Sequence, residues 1–431
     1  MNNISSLQLS SVNTGLLPQK GTHAFSEGEA PVFDSGSDSI SLGKEPLSEP
    51  LKKWTVLHYA AADNNLSPII DNIIDLESVG SDANTNFLVQ LDNGKKGFPD
   101  KNVTSGAKRY YLNKSDDLTQ ISSSVLENLG KVNMADPKVL SDFITWGIKN
   151  YPAENYMIFL SSHGNFWTGA IEDSSRGSNM SIPEIRQAFE DSEKKTGEKV
   201  DLICFDACNM ATLEVANELS GVADFMVASQ NTIQADGFPY SSIFGDNENN
   251  STDKVDFNFS PKEAASRIIK ASSNSDSVQT LSAVELSKLS SLNDSVNKFA
   301  QAIIENKTEK RALKDLASKV RNFEMNNEYN VIDLYYLAYV ITRSDSEIKE
   351  PALKEAAQNI LDSVKNTVFE NYSERGFGDA NGLSIEASSY RLGTKKYQEL
   401  SFAKAALWDE AMGEDNVVFK AMNKVKDFLG F

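Results

Sequence analysis

Tyr156-Met-Ile-Phe-Leu-Ser-Ser-His-Gly164 and Val200-Asp-Leu-Ile-Cys-Phe-Asp-Ala-Cys208 are two short apolar runs, each closing on a residue that can do chemistry. Runs of this length read as strands buried on both faces, the kind found in parallel sheets. The segments around them fit. Trp54 to Ala60, Asn86 to Leu91, Arg109 to Leu112 and Asp224 to Ala228 read as further strands. Leu66 to Leu76, Pro137 to Asn150 and Ile182 to Glu193 carry the three-and-four spacing of helices. Strands alternating with helices imply right-handed crossovers and a mainly parallel sheet covered on both faces, an α/β fold.

In such a sheet the reactive groups gather beyond the carboxyl ends of the strands. His163 and Cys208 both fall there. A thiol becomes a nucleophile when a neighbouring base takes its proton, and a histidine on an adjacent strand end supplies that base. The backbone N–H groups of Gly164 and Cys208 are then candidates to hold an oxyanion. The other residues of these types read differently. Cys204 lies inside its strand as a small buried hydrophobe, His58 sits within an apolar strand as a core histidine, and His23 lies in the leader. A zinc site is not expected, because the chain offers no third or fourth soft ligand beside His163 and Cys208. The two cysteines would stand about 13 Å apart along a strand, too far for a disulfide.

The 431 residues carry 42 Lys and Arg against 61 Asp and Glu, a formal charge of −19. That sign disfavours nucleic acid or an anionic membrane surface as the main partner and favours basic peptides. No run of 18 or more apolar residues suggests a membrane span, and no apolar core of a cleaved signal peptide follows Met1. Residues 1 to 50 form a Ser-, Asn- and Gly-rich leader expected to be disordered. Its first 26 residues hold one charged side chain, Lys20, which resembles the uncleaved signals of bacterial effectors delivered into host cells; otherwise a cytoplasmic location is expected. The α/β core is expected over residues 51 to 250. A mostly helical part follows over 251 to 431, with helices at Lys262 to Ser272, Leu289 to Glu305, Glu309 to Phe323, Leu353 to Tyr372, Phe402 to Met412 and Val417 to Leu429. Thr280 to Glu285 and Gly382 to Ile385 are extended and are expected to add strands to the core sheet.

Ser162-His163-Gly164 followed by Trp167, then Phe205-Asp206-Ala207-Cys208-Asn209-Met210, resembles the paired signature of the clostripain family of cysteine peptidases. Ala62-Asp63-Asn64-Asn65-Leu66, Leu91-Asp92, Asp236-Gly237-Phe238-Pro239-Tyr240, Ile332-Asp333-Leu334 and Gly382-Leu383-Ser384-Ile385 follow in the family's order. The resemblance implies a caspase-like α/β/α sandwich and an endopeptidase with a Cys208–His163 dyad. It also implies cleavage after Arg or Lys, recognised by acids at Asp206 and Asp236. Residues 206 and 208 share a strand face, which sets a carboxylate beside the thiol. Relatives are often activated by internal cleavage, and the polar stretch Ile171 to Met180 makes Arg176 the candidate site, with Lys194 and Lys195 behind it. No cofactor is required by this pattern; some relatives use calcium, but no acidic loop has the spacing of a known calcium motif. Gln230 and Asn231 replace an acidic pair, and Glu386-Ala387 replaces an aromatic and a proline. These departures, with the long helical part, leave a binding module without proteolysis as the alternative.

Overall fold

The computed structural model describes residues 50–94, 97–245, 257–323 and 330–413. The leader and the helix expected from Val417 to Leu429 lie outside the described residues.

The central sheet has nine strands. They are β1 (Lys52–Ala61), β2 (Thr85–Asp92), β3 (Ala107–Tyr111), β4 (Val125–Gly130), β5 (Ala153–Ser161), β8 (Leu202–Asp206), β9 (Phe225–Ala228), β10 (Thr280–Glu285) and β12 (Val368–Ser373). Their order is β12-β10-β9-β8-β5-β1-β2-β3-β4. The five central strands run parallel, from β9 through β8, β5 and β1 to β2. The outer two on each side are antiparallel. The apolar runs are explained by this placement: every residue of β8 and the last eight of β1 are buried.

Alternation along β1 separates two cores. Leu57, Tyr59 and Ala61 pack with Leu140, Phe143 and Ile185 of α2 (Pro137–Asn150) and α3 (Ile182–Thr196) on one face. Val56 and Ala60 pack on the other with Ile70 and Ile73 of α1 (Ile69–Val79) and with Ile268 of the helix Pro261–Ser272. That is a three-layer α/β/α sandwich, in which each fully buried aliphatic side chain contributes about 1.5–3 kcal/mol.

Four expectations shift. Thr280–Glu285 joins the main sheet as β10, whereas the extended piece at 382–385 does not. It forms β13 (Ser384–Glu386), paired with β11 (Val331–Asp333) in a separate two-stranded sheet. The helix expected to run to Tyr372 stops at Thr367, and the chain continues as the edge strand β12. The helix expected over 309–323 covers Lys307–Ala317, and that over 402–412 is broken into Ser401–Ala405 and Trp408–Met412. The polar stretch after His163 is a hairpin of β6 (Ala170–Asp173) and β7 (Ser178–Met180).

Candidate active site

Ser161, the last residue of β5, is paired in register with Asp206, the last of β8. His163 and Cys208 each follow two residues beyond that rung, which is why two distant motifs arrive at one edge. Both are half-buried and both line a cavity of ≈ 270 Å³ with Asp206, Ala207, Ile233 and Gly237. The lining carries no lysine or arginine among the described residues.

Gly164 cannot be anything larger. A Cβ there would lie 2.2 Å from the Cys208 carbonyl oxygen and 2.8 Å from Met210 Sδ. The chain past Cys208 turns through Asn209 at φ 62°, held by its Nδ2 donating to the Gln230 carbonyl at 2.9 Å. Past the histidine it turns through Phe166 at φ 51° and Ile171 at φ 65°. A β-branched residue at positive φ is strained and persists where the surroundings over-determine it. Here the Ile171 N–H donates to the His163 carbonyl at 3.0 Å, and Trp167 Nε1 donates to Glu386 Oε2 at 3.0 Å.

His163 Nε2 lies 2.6 Å from Asn65 Oδ1. Asn65 is delivered by the loop after β1, which Asn64 pins by donating to Ser162 Oγ at 3.2 Å and to the Glu172 carbonyl at 3.3 Å. With Nε2 donating to the amide oxygen, Nδ1 is the ring's acceptor. The Cys208 thiol donates to the Ile233 carbonyl at 3.5 Å and accepts from the Ile233 N–H at 3.4 Å. Burial pushes this thiol up from its ordinary pKa, and the Asp206 charge adds to the shift. The resting sulfur is therefore a protonated thiol that needs a base. Neither the Gly164 nor the Cys208 N–H donates to a carbonyl among the described residues.

Asp206 is buried at the cavity, and burial raises its carboxyl to about 6 against the donors that favour the charged form, Tyr240 and Ser161 first. Gly237, at φ 64°, permits this approach: a Cβ there would lie 2.7 Å from Asp206 Oδ2. Asp236 is exposed and does not line the cavity, so of the two acids expected there only Asp206 is present. Gln230 faces elsewhere. Its Nε2 donates to Asp333 Oδ2 at 2.9 Å and Ser384 Oγ at 2.8 Å, and its Oε1 accepts from the Gly382 N–H at 2.7 Å. The residue tying the central sheet to β11–β13 is thus not a wall of the cavity. Arg176 is exposed in the β6–β7 turn, its N–H donating to Asp173 Oδ1 at 3.0 Å. Lys194 and Lys195 lie in the last turn of α3. The sequence does not single out Asn65, Ser161, Gly237 or Tyr240 for a role; Asn65, Gly237 and Tyr240 stand inside the quoted motifs, and that is the available signal.

Among the described residues no group of three or more His, Cys, Asp or Glu side chains is placed to hold a metal ion, and no helix is long and apolar enough to cross a membrane.

A model of the clostripain family matches residues 58–415. Clostripain of Hathewaya histolytica is 25% identical over 457 aligned residues, covering 90% of this chain and 83% of that protein. The X-ray structure of a secreted C11 cysteine protease from Bacteroides thetaiotaomicron, in complex with an irreversible peptide inhibitor, is similar at a TM-score of 0.57 with 22% identity, covering 83% of this chain and 99% of that one. An inactive zymogen C11 protease from Parabacteroides distasonis is similar at a TM-score of 0.61 with 23% identity and the same coverage. The two structures speak for the fold, the caspase-like sandwich expected from the sequence. The match over most of the chain identifies it: this protein belongs to the clostripain family and is a cysteine peptidase.

Proposed function

We propose that the chain is an endopeptidase that cuts after Arg or Lys with Cys208 as nucleophile and His163 as acid and base. The observation that carries this reading is one cavity lined by His163, Cys208 and a buried carboxylate, Asp206. A basic side chain enters and meets Asp206, which brings the scissile carbonyl to the sulfur. Asp236, exposed one residue outside the lining, is the outer acid that draws the cation in. His163 takes the thiol proton as sulfur attacks, and the Gly164 and Cys208 amides receive the oxyanion. His163 then protonates the leaving amine, and in the second half removes a proton from the water that releases the acyl group. No step is routed through a metal or cofactor. Arginine- and lysine-ended fluorogenic peptides test the reading: hydrolysis by wild type and its loss in Cys208→Ala are expected, and retained hydrolysis in that variant overturns the assignment.

Cleavage after Arg176 is the matching self-processing step. The residue is exposed in a hairpin turn, whereas Lys194 and Lys195 would require α3 to unwind. The sparse charge of the leader supports export without a cleaved signal, which secretion of a reporter fused to residues 1–50 would test. Peptide or protein substrates with Arg or Lys before the scissile bond are the proposed partners.

A further inference from the structure

Beneath the cavity lies a polar cluster with no part in the acyl chemistry. His58, in the middle of β1, is fully buried, with Nε2 2.7 Å from Ser161 Oγ. Ser161 Oγ is 3.2 Å from Asp206 Oδ2 and 3.2 Å from the Tyr240 hydroxyl. Tyr240, in the short helix Tyr240–Phe244, has its hydroxyl 2.9 Å from the same Oδ2 and its ring stacked on His58 at 5.0 Å. Asn72 Nδ2 approaches that oxygen at 3.5 Å, and the Phe238 N–H also donates to the carboxyl.

The proton positions follow from what is unpaired. His58 Nδ1 is buried without a hydrogen-bond partner. A buried N–H without an acceptor is much rarer than a bare acceptor, so the ring proton belongs on Nε2. Nε2–H then donates to Ser161 Oγ, with the Tyr240 hydroxyl a longer 3.4 Å away, and Ser161 is free to give its own proton to Asp206 while Tyr240 gives its proton to the same oxygen. The opposite tautomer would draw the Ser161 proton to the ring and leave the carboxylate without it. Burial lowers the imidazole to about 3, so it acts here as a neutral donor. The three side-chain donors to Asp206 all converge on Oδ2, and the Phe238 N–H adds a backbone bond to the same carboxyl.

We propose that His58, Ser161 and Tyr240 form a directed relay of hydrogen bonds that positions Asp206 for a guanidinium or ammonium group, making them specificity-positioning residues of this peptidase. The proposal rests on Asp206 being the group that selects basic side chains. The titratable groups around Asp206 are His58 from β1, Tyr240, and Cys204 and Cys208 from its own strand and turn, with His163 in the same cavity. At neutral pH none of the buried ones is a cation, so the carboxylate depends on these neutral donors and on the substrate for its charge.

The test compares paired peptides ending in arginine or in citrulline, its neutral isostere, between pH 5 and 8.5. Wild type, Ser161→Ala, Tyr240→Phe and His58→Phe are measured, with a melting curve for each. Loss of either hydroxyl lowers the Arg-to-citrulline ratio of kcat/KM by roughly tenfold, the factor carried by a hydrogen bond to a charged group, through KM rather than kcat. His58→Phe lowers the ratio by roughly threefold, because Ser161 keeps its proton but loses its direction. In each variant the acid limb for the arginine peptide moves to higher pH while that for citrulline stays. A merely structural fault lowers both peptides alike and leaves the ratio, which overturns the relay. A wild-type preference that survives all three variants overturns the relay alone. Wild type that does not prefer arginine overturns the reading of Asp206 and the relay with it.

Discussion

Glu214, in the helix Leu213–Leu219 that follows Cys208, is fully buried, and its carboxyl is raised to about 7. Burial is the first cause, raising its carboxyl from 4.5 to about 7 against hydrogen bonds from the Glu386 N–H and the Tyr397 hydroxyl, with the Glu386 charge adding to the rise. Oε1 accepts both bonds, at 3.0 Å and 2.9 Å, and Oε2 has no partner. The sign follows from proton counting. Between pH 4.5 and about 7 the folded protein holds a proton on Glu214 that the unfolded chain has lost, so unfolding releases protons and stability falls as pH rises. The penalty is absent below the unfolded pKa and complete above the folded one. At 1.36 kcal/mol per pH unit over the full interval it amounts to about 3 kcal/mol. With unfolding entropy near 2.1 cal/mol/K per residue, that is roughly 4 °C in Tm for a unit of this size. Glu214→Gln keeps the Oε1 acceptor and is neutral at every pH. Its amide has no acceptor where Oε2 stands, a cost of about 1–3 kcal/mol that does not change with pH. Melting is measured in the Cys208→Ala background, which removes self-digestion. Between pH 5 and pH 8, a window that crosses about 1.8 of those units, the Tm of the protein that retains Glu214 should fall by roughly 3 °C more than that of the Glu214→Gln variant. Equal slopes in the two proteins would refute the assignment of a buried, proton-holding Glu214.

Asp206→Asn keeps the shape of the cavity and removes its charge. A pair about 4 Å apart at an effective dielectric of 20 is worth about 4 kcal/mol before desolvation, so kcat/KM on arginine peptides should fall roughly 30- to 800-fold, and a loss under about threefold would count against the reading. Asn65→Ala removes the bond that fixes the His163 ring; kcat should drop about 2- to 12-fold with KM unchanged, measured by steady-state kinetics. Gly164→Ala forces a Cβ against the Cys208 carbonyl 2.2 Å away, which displaces an oxyanion donor. A loss of about 10²–10³ in kcat is expected, and near-wild-type turnover would show that the edge relaxes freely. Mass spectrometry of the active protein should show an internal cut after Arg176 that Arg176→Ala abolishes, and persistence of the same cut in the variant would place the site elsewhere.

The strands that build the site are legible because burial on both faces leaves little room for polar residues. β1, β5 and β8 are continuous apolar runs for that reason. The edges are not. Val125–Gly130 is largely exposed, with Glu127 and Asn128 inside it, and its pairing with β3 is irregular. Val368–Ser373 follows its helix with no glycine or proline between them, so helical spacing runs on through Val364 and Val368. What ends that helix is a tertiary partner, the ladder with β10, which no local signal announces. At the site, Cys208 and His163 can be found because reactive side chains at strand ends are conspicuous. Asn65 and Tyr240 cannot, because their roles depend on loops folding back from residues 98 and 79 positions away in the chain from His163 and Ser161. Asp236 fails as a cavity acid for a related reason. The turn that brings its neighbour Gly237 against Asp206 leaves the Asp236 side chain in solvent.

In the sequence, Gln230 is one ground for doubting the pocket and, with the other substitutions and the long helical part, proteolysis; its side chain does not line the cavity. It joins Asp333, Ser384 and Gly382, away from the cavity, so substitution there alters how β11–β13 is fastened and not what the cavity selects. The acid that the cavity does hold, Asp206, also acts on the Cys208 thiol. Its carboxylate is two residues from Cys208 and raises the thiol beyond the effect of burial. That charge favours the protonated thiol. On the proposed reading, an arginine or lysine held at Asp206 would offset the charge and ease passage of the thiol proton to His163, whereas a neutral side chain would leave it in force.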